Sequence, residues 1–427
     1  MTGLPVFSLL QAAGVPPMSF GAWLVATLLK MFVIFTVYMV GVALLTLAER
    51  KISAWIQGRL GPNRVGPGGL LQPAADGLKN IMKEETYPAQ AYKPLFVLAP
   101  AISFIPALIT WAVIPFAAPW HSPWGRVDMA LAPLPVGFLY VLAISSLGVY
   151  GIVLAGWSSN NKYAFLGGLR SSAQMVSYEI AMGMSTIPVL LLAGNVALDA
   201  VIAQQAALGW NVLTLTLAAF IFMIAVFAET NRLPFDLPEA ESELIAGYHA
   251  EYSAMKFSFF FIAEYANMVT GSALMAVLFF GGWDIPLTAW DNSAPHTGLK
   301  TILTAFTFLL KILFFVFLFM WIRWTLPRFR YDQLMALGWK VLIPLSLAYI
   351  VIIAGVVLAL DAARVPRGWM FGAALFGVNL VIMLLVILGL DRGRVISPAT
   401  TRINAGDLDR LRALSTRRSP TTAAVGD

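Results

Sequence analysis

The stretch VLIPLSLAYIVIIAGVVLAL (341–360), DAARVPRG (361–368), WMFGAALFGVNLVIMLLVILGL (369–390) decides the fold class. Each apolar flank is at least 20 residues long and carries no acidic or basic side chain. That is the length a helix needs to cross about 30 Å of hydrocarbon. The eight residues between the flanks hold Asp361, Arg364, Pro366 and Arg367, and read as a tight hairpin joining two antiparallel spans. Working outward with the same criterion gives spans at 22–47, 95–117, 134–156, 174–193, 211–228, 257–280, 302–322, 341–360 and 369–390. Composition agrees. Only 12% of the 427 residues are charged and 59% are hydrophobic, whereas soluble domains carry about 25% charged residues. So few charges cannot cover a water-facing surface. The expected fold is an all-α polytopic membrane protein.

Several chemistries are excluded at once. Cysteine is absent, which removes disulfides, thiolate zinc sites and Cys-ligated iron–sulfur clusters. His121, His249 and His296 are the only imidazoles and lie far apart in sequence. No G-x-G-x-x-G, Walker A or H-E-x-x-H motif occurs. Electrons, nucleotides and transition metals are therefore handled by partner chains or not at all. The net charge of +6 reflects membrane topology, not nucleic-acid binding. The first twenty residues contain no Lys or Arg, so the N-terminus is expected to remain uncleaved.

Lys and Arg set the expected orientation. With nine spans, 22 of them fall on one side, including the tail, and 4 on the other, while Lys30 and Lys311 lie inside spans. This places the N-terminus outside and the C-terminus in the cytoplasm. Residues 1–21 are then an extracytoplasmic segment, 22–360 the membrane core, 361–390 a hairpin with the ninth helix, and 391–427 a basic cytoplasmic tail expected to be disordered or a weak docking segment. The cytoplasmic side also holds the glycine- and proline-rich RLGPNRVGPGG (59–69). Beyond it, Leu71, Ala74, Ala75, Leu78, Ile81 and Met82 oppose Asp76, Lys79, Asn80 and Lys83 at helical spacing, as in an amphipathic interfacial helix.

Ionisable groups inside spans cost roughly 2.5–3.5 kcal/mol at a helix centre and usually mark function. Glu179, Glu264 and Lys311 each fall in a different span, which points to a shared polar interior. Glu229 and Arg232 stand at i,i+3 spacing, and by themselves read as a local ion pair. Between 229 and 251 lie Glu229, Asp236, Glu239, Glu241, Glu243 and Glu251 against the single base Arg232. Asp236 and Glu239 have the spacing of a capping box for a second helix. Glu241 and Glu243 exceed what a helix dipole needs, and suggest cation or proton handling.

Four blocks carry a family resemblance: AERKISAWIQGRLGPNRVGPGGLLQPAADGLKNIMKE (48–84), GWSSNNKYAFLGGLRSSAQMVSYE (156–179), AETNRLPFDLPEAESELIAGYHAEYSAMKFSFFFIAEYANM (228–268) and WIRWTLPRFRYDQLMALGWK (321–340). Together they closely resemble the quinone-site membrane subunit of the proton-pumping NADH:quinone oxidoreductase, respiratory complex I, over about residues 20–360. The resemblance implies an eight-helix core with cytoplasmic amphipathic helices, to which the ninth helix and arginine-rich tail are additions. It implies a membrane component of a translocase with no complete redox site of its own. Quinone is the substrate, and FMN and iron–sulfur clusters sit in partners. It further implies docking to hydrophilic quinone-site and iron–sulfur subunits, contact with small membrane and antiporter-like subunits, and a place in the bacterial cell membrane.

Carried over position by position, the quinone-chamber residues would be Arg50, Asp76, Lys79, Arg232, Arg323 and Arg328. The carboxylate path would run through Glu179, Glu229, Glu239, Glu241, Glu243, Glu251 and Glu264, with Lys311 as a further buried charge. Two other classes fit less well. A secondary transporter should show an inverted repeat with broken helices near the midplane, and none is evident in the sequence. A proton-path or anchor subunit of a related membrane-bound hydrogenase shares the fold and several acids, but the full set of four blocks favours the quinone oxidoreductase.

Overall fold

The computed structural model describes residues 20–122, 125–239, 247–286, 288, 290–292 and 296–390. Glu241, Glu243, residues 1–19 and the tail 391–427 lie outside the described residues. Helix α1 (Phe20–Ile56) is 37 residues long, about 55 Å at 1.5 Å per residue. It exceeds the hydrocarbon thickness and continues nine residues beyond the expected span end at 47. Glu49, Arg50 and Lys51 are unwelcome in lipid but ordinary in a helix, so charge ended the expected span without ending the helix.

The turn that follows needs glycine. Gly69 has φ +82°, and a Cβ there would lie 2.7 Å from the Pro62 carbonyl carbon. The amphipathic helix expected next is α2 (Gln72–Met82), which has no fully buried residue. Helix α3 (Lys93–Ile109) ends in a 3₁₀ turn, Thr110–Val113. A short antiparallel hairpin, β1 (Trp120–Ser122) and β2 (Gly125–Val127), then leads to α4 (Gly137–Ser158). Helix α5 (Lys162–Ala193) starts earlier than the expected span, because the Asn161 side chain caps it by accepting from the Tyr163 N–H. It ends at Gly194, φ +63°.

The fifth expected span, 211–228, is not one long helix. After α6 (Leu198–Leu208), a single turn α7 (Asn211–Thr214) breaks at Leu215 (φ −132°, ψ 47°), and α8 (Thr216–Glu229) follows with 14 residues. Helix α8 is therefore about 21 Å long, short of a full crossing. The apolar run hides this break. Tertiary hydrogen bonds anchor the turn before it: Asn211 Nδ2 donates to the Leu278 carbonyl at 2.9 Å, and Gln205 Oε1 accepts from the Asn211 N–H at 3.2 Å. Next come α9 (Ala254–Phe279), α10 (Gly298–Thr325), α11 (Tyr331–Ala336) running through a π turn into α12 (Ile343–Ala362), and α13 (Trp369–Leu390).

Among the described residues, eight helical segments are long and apolar enough to cross a membrane, α13 among them, and the short α8 is additional. The chain is an all-α multi-pass membrane protein. Helix α9 is its most enclosed helix, with 78% of its most apolar window buried against 22% for α1. It packs on α1, α2, α3, α8 and α10, while α5 packs on α4, α8 and α12. Among the described residues, those to Asn379 belong to one compact unit and those from Leu380 to another.

Candidate functional site

The interior of α1 is a stripe at helical spacing: Tyr38, Val42, Leu45, Glu49 and Ser53 are buried. A carboxylate in such a stripe needs partners, since an unpaired buried charge is strongly disfavoured. Glu49 has three. Arg323, near the end of α10, and Arg232, in the loop after α8, both pair with its Oε1, Arg232 at 3.5 Å. Tyr265 of α9 donates its hydroxyl to Oε2. Arg232 in turn places Nε 2.6 Å from Oε1 of Glu264 and stands over the Tyr265 ring, 4.4 Å from its centroid. Two carboxylates and two guanidiniums thus come from three helices and one loop, and their charges nearly cancel.

The loop that delivers Arg232 is held from α5. Gln174 Nε2 lies 2.8–2.9 Å from the Ala228 carbonyl, Asn231 Oδ1 and the Phe235 carbonyl. Asn231 adopts φ +47° and donates to Ser171 Oγ and to Glu239 Oε1, both at 2.7 Å. Asp236 pairs with Arg328 at 3.1 Å. The helix that the Asp236–Glu239 spacing would open falls on residues 240–246, outside the described residues. The expected local pair of Glu229 with Arg232 gives way to the Arg232 contacts with Glu264 and Glu49, because the reversed turn points the guanidinium into the bundle.

Burial alone would lower the Arg232 pKa, but Glu264 and Glu49 outweigh it and hold the guanidinium above its ordinary value. Glu239 is driven the other way. Burial first, then the negative charges of Glu264 and Asp236, push its carboxyl well above the usual range, against the Asn231 hydrogen bond and Arg232. The site therefore contains fixed charges beside a carboxyl whose proton affinity is raised. A cavity of about 20 Å³ lined by Asn231, Arg232, Asp236, Glu239, Glu264 and Arg323 lies among them. That is room for one water, and far too little for a quinone ring.

The other expected residues are dispersed. Glu179 accepts a hydrogen bond from Ser146 of α4 and lies close enough to Glu229 for their charges to interact. Glu251 accepts from Asn161 Nδ2 at 2.6 Å. Arg50 and Asp76 form a solvent-facing pair at 2.6 Å between α1 and α2, and Lys79 is exposed. The structure brings Arg232 and Arg323 together and Arg328 beside Asp236, but it does not join Arg50, Asp76 or Lys79 to them. Among the described residues, Lys311 pairs with none of the carboxylates of the path. Its ammonium donates to the carbonyls of Phe280, Gly282 and Asp284 at 2.7, 2.9 and 2.6 Å, beyond the end of α9 opposite Glu264.

Sequence reasoning misses Glu49 and Tyr265. The signal for Glu49 is present, since it continues the 38–42–45 stripe of α1, but it stands just past the expected span end. Tyr265 has none, because an aromatic next to Glu264 in an apolar helix is ordinary.

A family model described as NADH dehydrogenase matches residues 29–354. The NADH-quinone oxidoreductase H subunit of Leptospira biflexa serovar Patoc is 51% identical over 340 residues, covering 77% of this chain and 93% of the relative. A Cytophaga hutchinsonii protein of the same description is 48% identical over 325 residues (76% and 94%), and NADH-quinone oxidoreductase subunit 8 of Rhodothermus marinus is 50% identical over 336 residues (77% and 96%). The buried ion cluster of α1, α9, α10 and the loop after α8 lies wholly within the matched residues, and with that match the chain belongs to the NADH dehydrogenase family, as a membrane subunit of NADH-quinone oxidoreductase.

Proposed function

We propose that the cytoplasmic face of this chain forms the entrance and part of the wall of a quinone chamber, and that its buried carboxylates link quinone reduction to proton translocation. The observation that carries this is the Glu49–Arg232–Glu264–Arg323 cluster next to buried Glu239, whose carboxyl is pushed above the usual range. Reducing a quinone to a quinol consumes two electrons and two protons. The electrons come from partner subunits that hold FMN and iron–sulfur clusters. When negative charge develops on the quinone, nearby carboxyls change their proton affinity, and Glu239, with its raised proton affinity, would give or relay a proton.

Arg328 and Asp236, with Arg50, Asp76 and Lys79 at the rim, face the hydrophilic partner that closes the chamber. The cavity of about 20 Å³ is too small for a quinone ring, which on this reading is housed mostly outside this chain. From Glu264 and Glu239 the route runs toward Glu229, Glu179 and Glu251, and on to small membrane and antiporter-like subunits; Glu241 and Glu243, also assigned to it, lie outside the described residues. The orientation consistent with this is N-terminus outside and C-terminus in the cytoplasm of a bacterial cell membrane, with the 22 Lys and Arg on the docking side.

The test uses assembled complex in membranes. Arg328→Ala or Asp76→Asn should lower NADH:quinone activity while NADH oxidation by a hydrophilic artificial acceptor survives. Equal loss of both activities with assembly intact refutes the quinone role.

A further inference from the structure

The family match ends at residue 354, so α13 lies beyond it, and the carboxylate route makes no use of it. Yet its first half is not a loose addition. Phe371 and Leu375 are buried, and Asn379 is 1% exposed although it sits in an otherwise apolar helix. Asn379 Nδ2 donates to the Thr214 carbonyl at 2.5 Å, and its Oδ1 accepts from the Tyr349 hydroxyl of α12 at 2.6 Å.

Thr214 is the last residue of α7, directly before the break at Leu215. A broken helix leaves carbonyls without partners, and lipid supplies none, so another protein group has to satisfy them. The Thr214 side chain is itself buried with its hydroxyl lacking a partner in the structure. The Thr216 hydroxyl serves the Val212 and Leu213 carbonyls from within the segment, but the Thr214 carbonyl is satisfied from outside, by an amide carried on α13. Close approach is secured at Gly372, where a Cβ would lie 3.1 Å from the Leu208 carbonyl oxygen and 3.6 Å from Thr214 Cγ2.

We propose that α13 is a brace for the broken fifth segment, and that Asn379 is a positioning residue for α8, the helix that carries Glu229 at its other end. Helix α8 is then mounted at two points. Asn379 and Tyr349 fix its start, while Gln174, bonded to the Ala228 carbonyl, fixes its finish. A 14-residue helix is a stiff rod, so a shift at Leu215 moves Glu229 relative to Glu179. The bracing itself is independent of the proposed function, but its consequence for turnover rests on the carboxylate route.

Two measurements on the full complex test this. The chain has no cysteine, so Thr214→Cys with Gly372→Cys gives a clean disulfide probe. With a protease site engineered into 361–368, oxidation should keep the C-terminal fragment attached after cleavage. Release of the fragment despite complete oxidation of added thiol probes overturns the bracing.

In the second measurement, Asn379→Leu should reduce quinone-linked turnover per assembled complex three- to tenfold at unchanged KM for quinone, and Asn379→Gln should recover at least half. A purely structural helix would change the amount of complex and leave its turnover alone, so wild-type turnover in Asn379→Leu overturns the positioning role. If that variant leaves no complex, Tyr349→Phe replaces it with the same two outcomes. Glu229→Gln, measured beside them, separates the readings, because wild-type turnover there rejects the carboxylate route and leaves the cross-link result standing.

Discussion

Replacing Glu49 by Gln should damage the protein through charge rather than shape. Gln can still accept from Tyr265, but it leaves two guanidiniums, Arg232 and Arg323, with Glu264 as the one remaining carboxylate of the cluster. Both Glu49 and Arg232 have side chains under 10% exposed, so water can do little to compensate. Removing one partner of a buried ion pair costs about 3–5 kcal/mol, mostly the penalty of the charge left behind. The cost should therefore be about two orders of magnitude or more in the rate of heat inactivation of quinone-linked activity, measured on assembled complex. Adding Arg323→Met removes the surplus charge and leaves the Arg232–Glu264 pair at 2.6 Å. The double variant should then recover most of the loss, with a coupling of about 2 kcal/mol or more in a double-mutant cycle. Wild-type inactivation in Glu49→Gln, or costs that simply add, would show that these groups are solvated separately and that the cluster does not exist as a unit.

Other outcomes follow from the same geometry. Glu264→Gln should severely reduce quinone-linked activity and proton translocation together, while Glu264→Asp keeps part of both; normal pumping in the Gln variant sinks its place on the proton path. Because burial and its acidic neighbours raise the Glu239 pKa, the folded chain binds a proton there more tightly than the unfolded chain does. Stability should then decline as pH rises from the ordinary carboxyl range toward that raised value, and Glu239→Gln should flatten the decline in a thermal-melt series. Burial lowers His249 to about 4, so unfolding takes up a proton between pH 6.5 and 4 and stability should fall by up to about 3 kcal/mol as pH drops through that window; His249→Gln should lose the slope, and an unchanged slope assigns it elsewhere. Reporter fusions after Leu360 and after Gly389 should lie on opposite sides of the membrane, and reports from the same side mean that α13 does not cross.

Much of this protein is readable one residue at a time. Lipid permits few backbone solutions, so apolar runs such as 341–360 and 369–390 have to be helices whatever surrounds them, and a cysteine-free chain cannot hold a thiolate-ligated cluster. The four sequence blocks likewise carry the family, because they are local strings. Contacts between distant segments are another matter. No local rule indicates that Arg232 turns from Glu229 toward Glu264 and Glu49, since its direction depends on Asn231 at φ +47° and on Gln174, 57 residues away from Asn231. Lys311 reads as one more charge in a polar interior, and only the fold shows it held by three carbonyls beyond α9. The break at Leu215 falls within an apolar run that satisfies every test for a continuous span, and side chains from elsewhere in the chain attend it, Gln205 at the Asn211 N–H and Asn379 at the Thr214 carbonyl. Hydrophobicity is a property of each side chain and survives in the sequence, whereas the pairing of buried charges and carbonyls depends on which helices become neighbours, and the tertiary structure alone decides that.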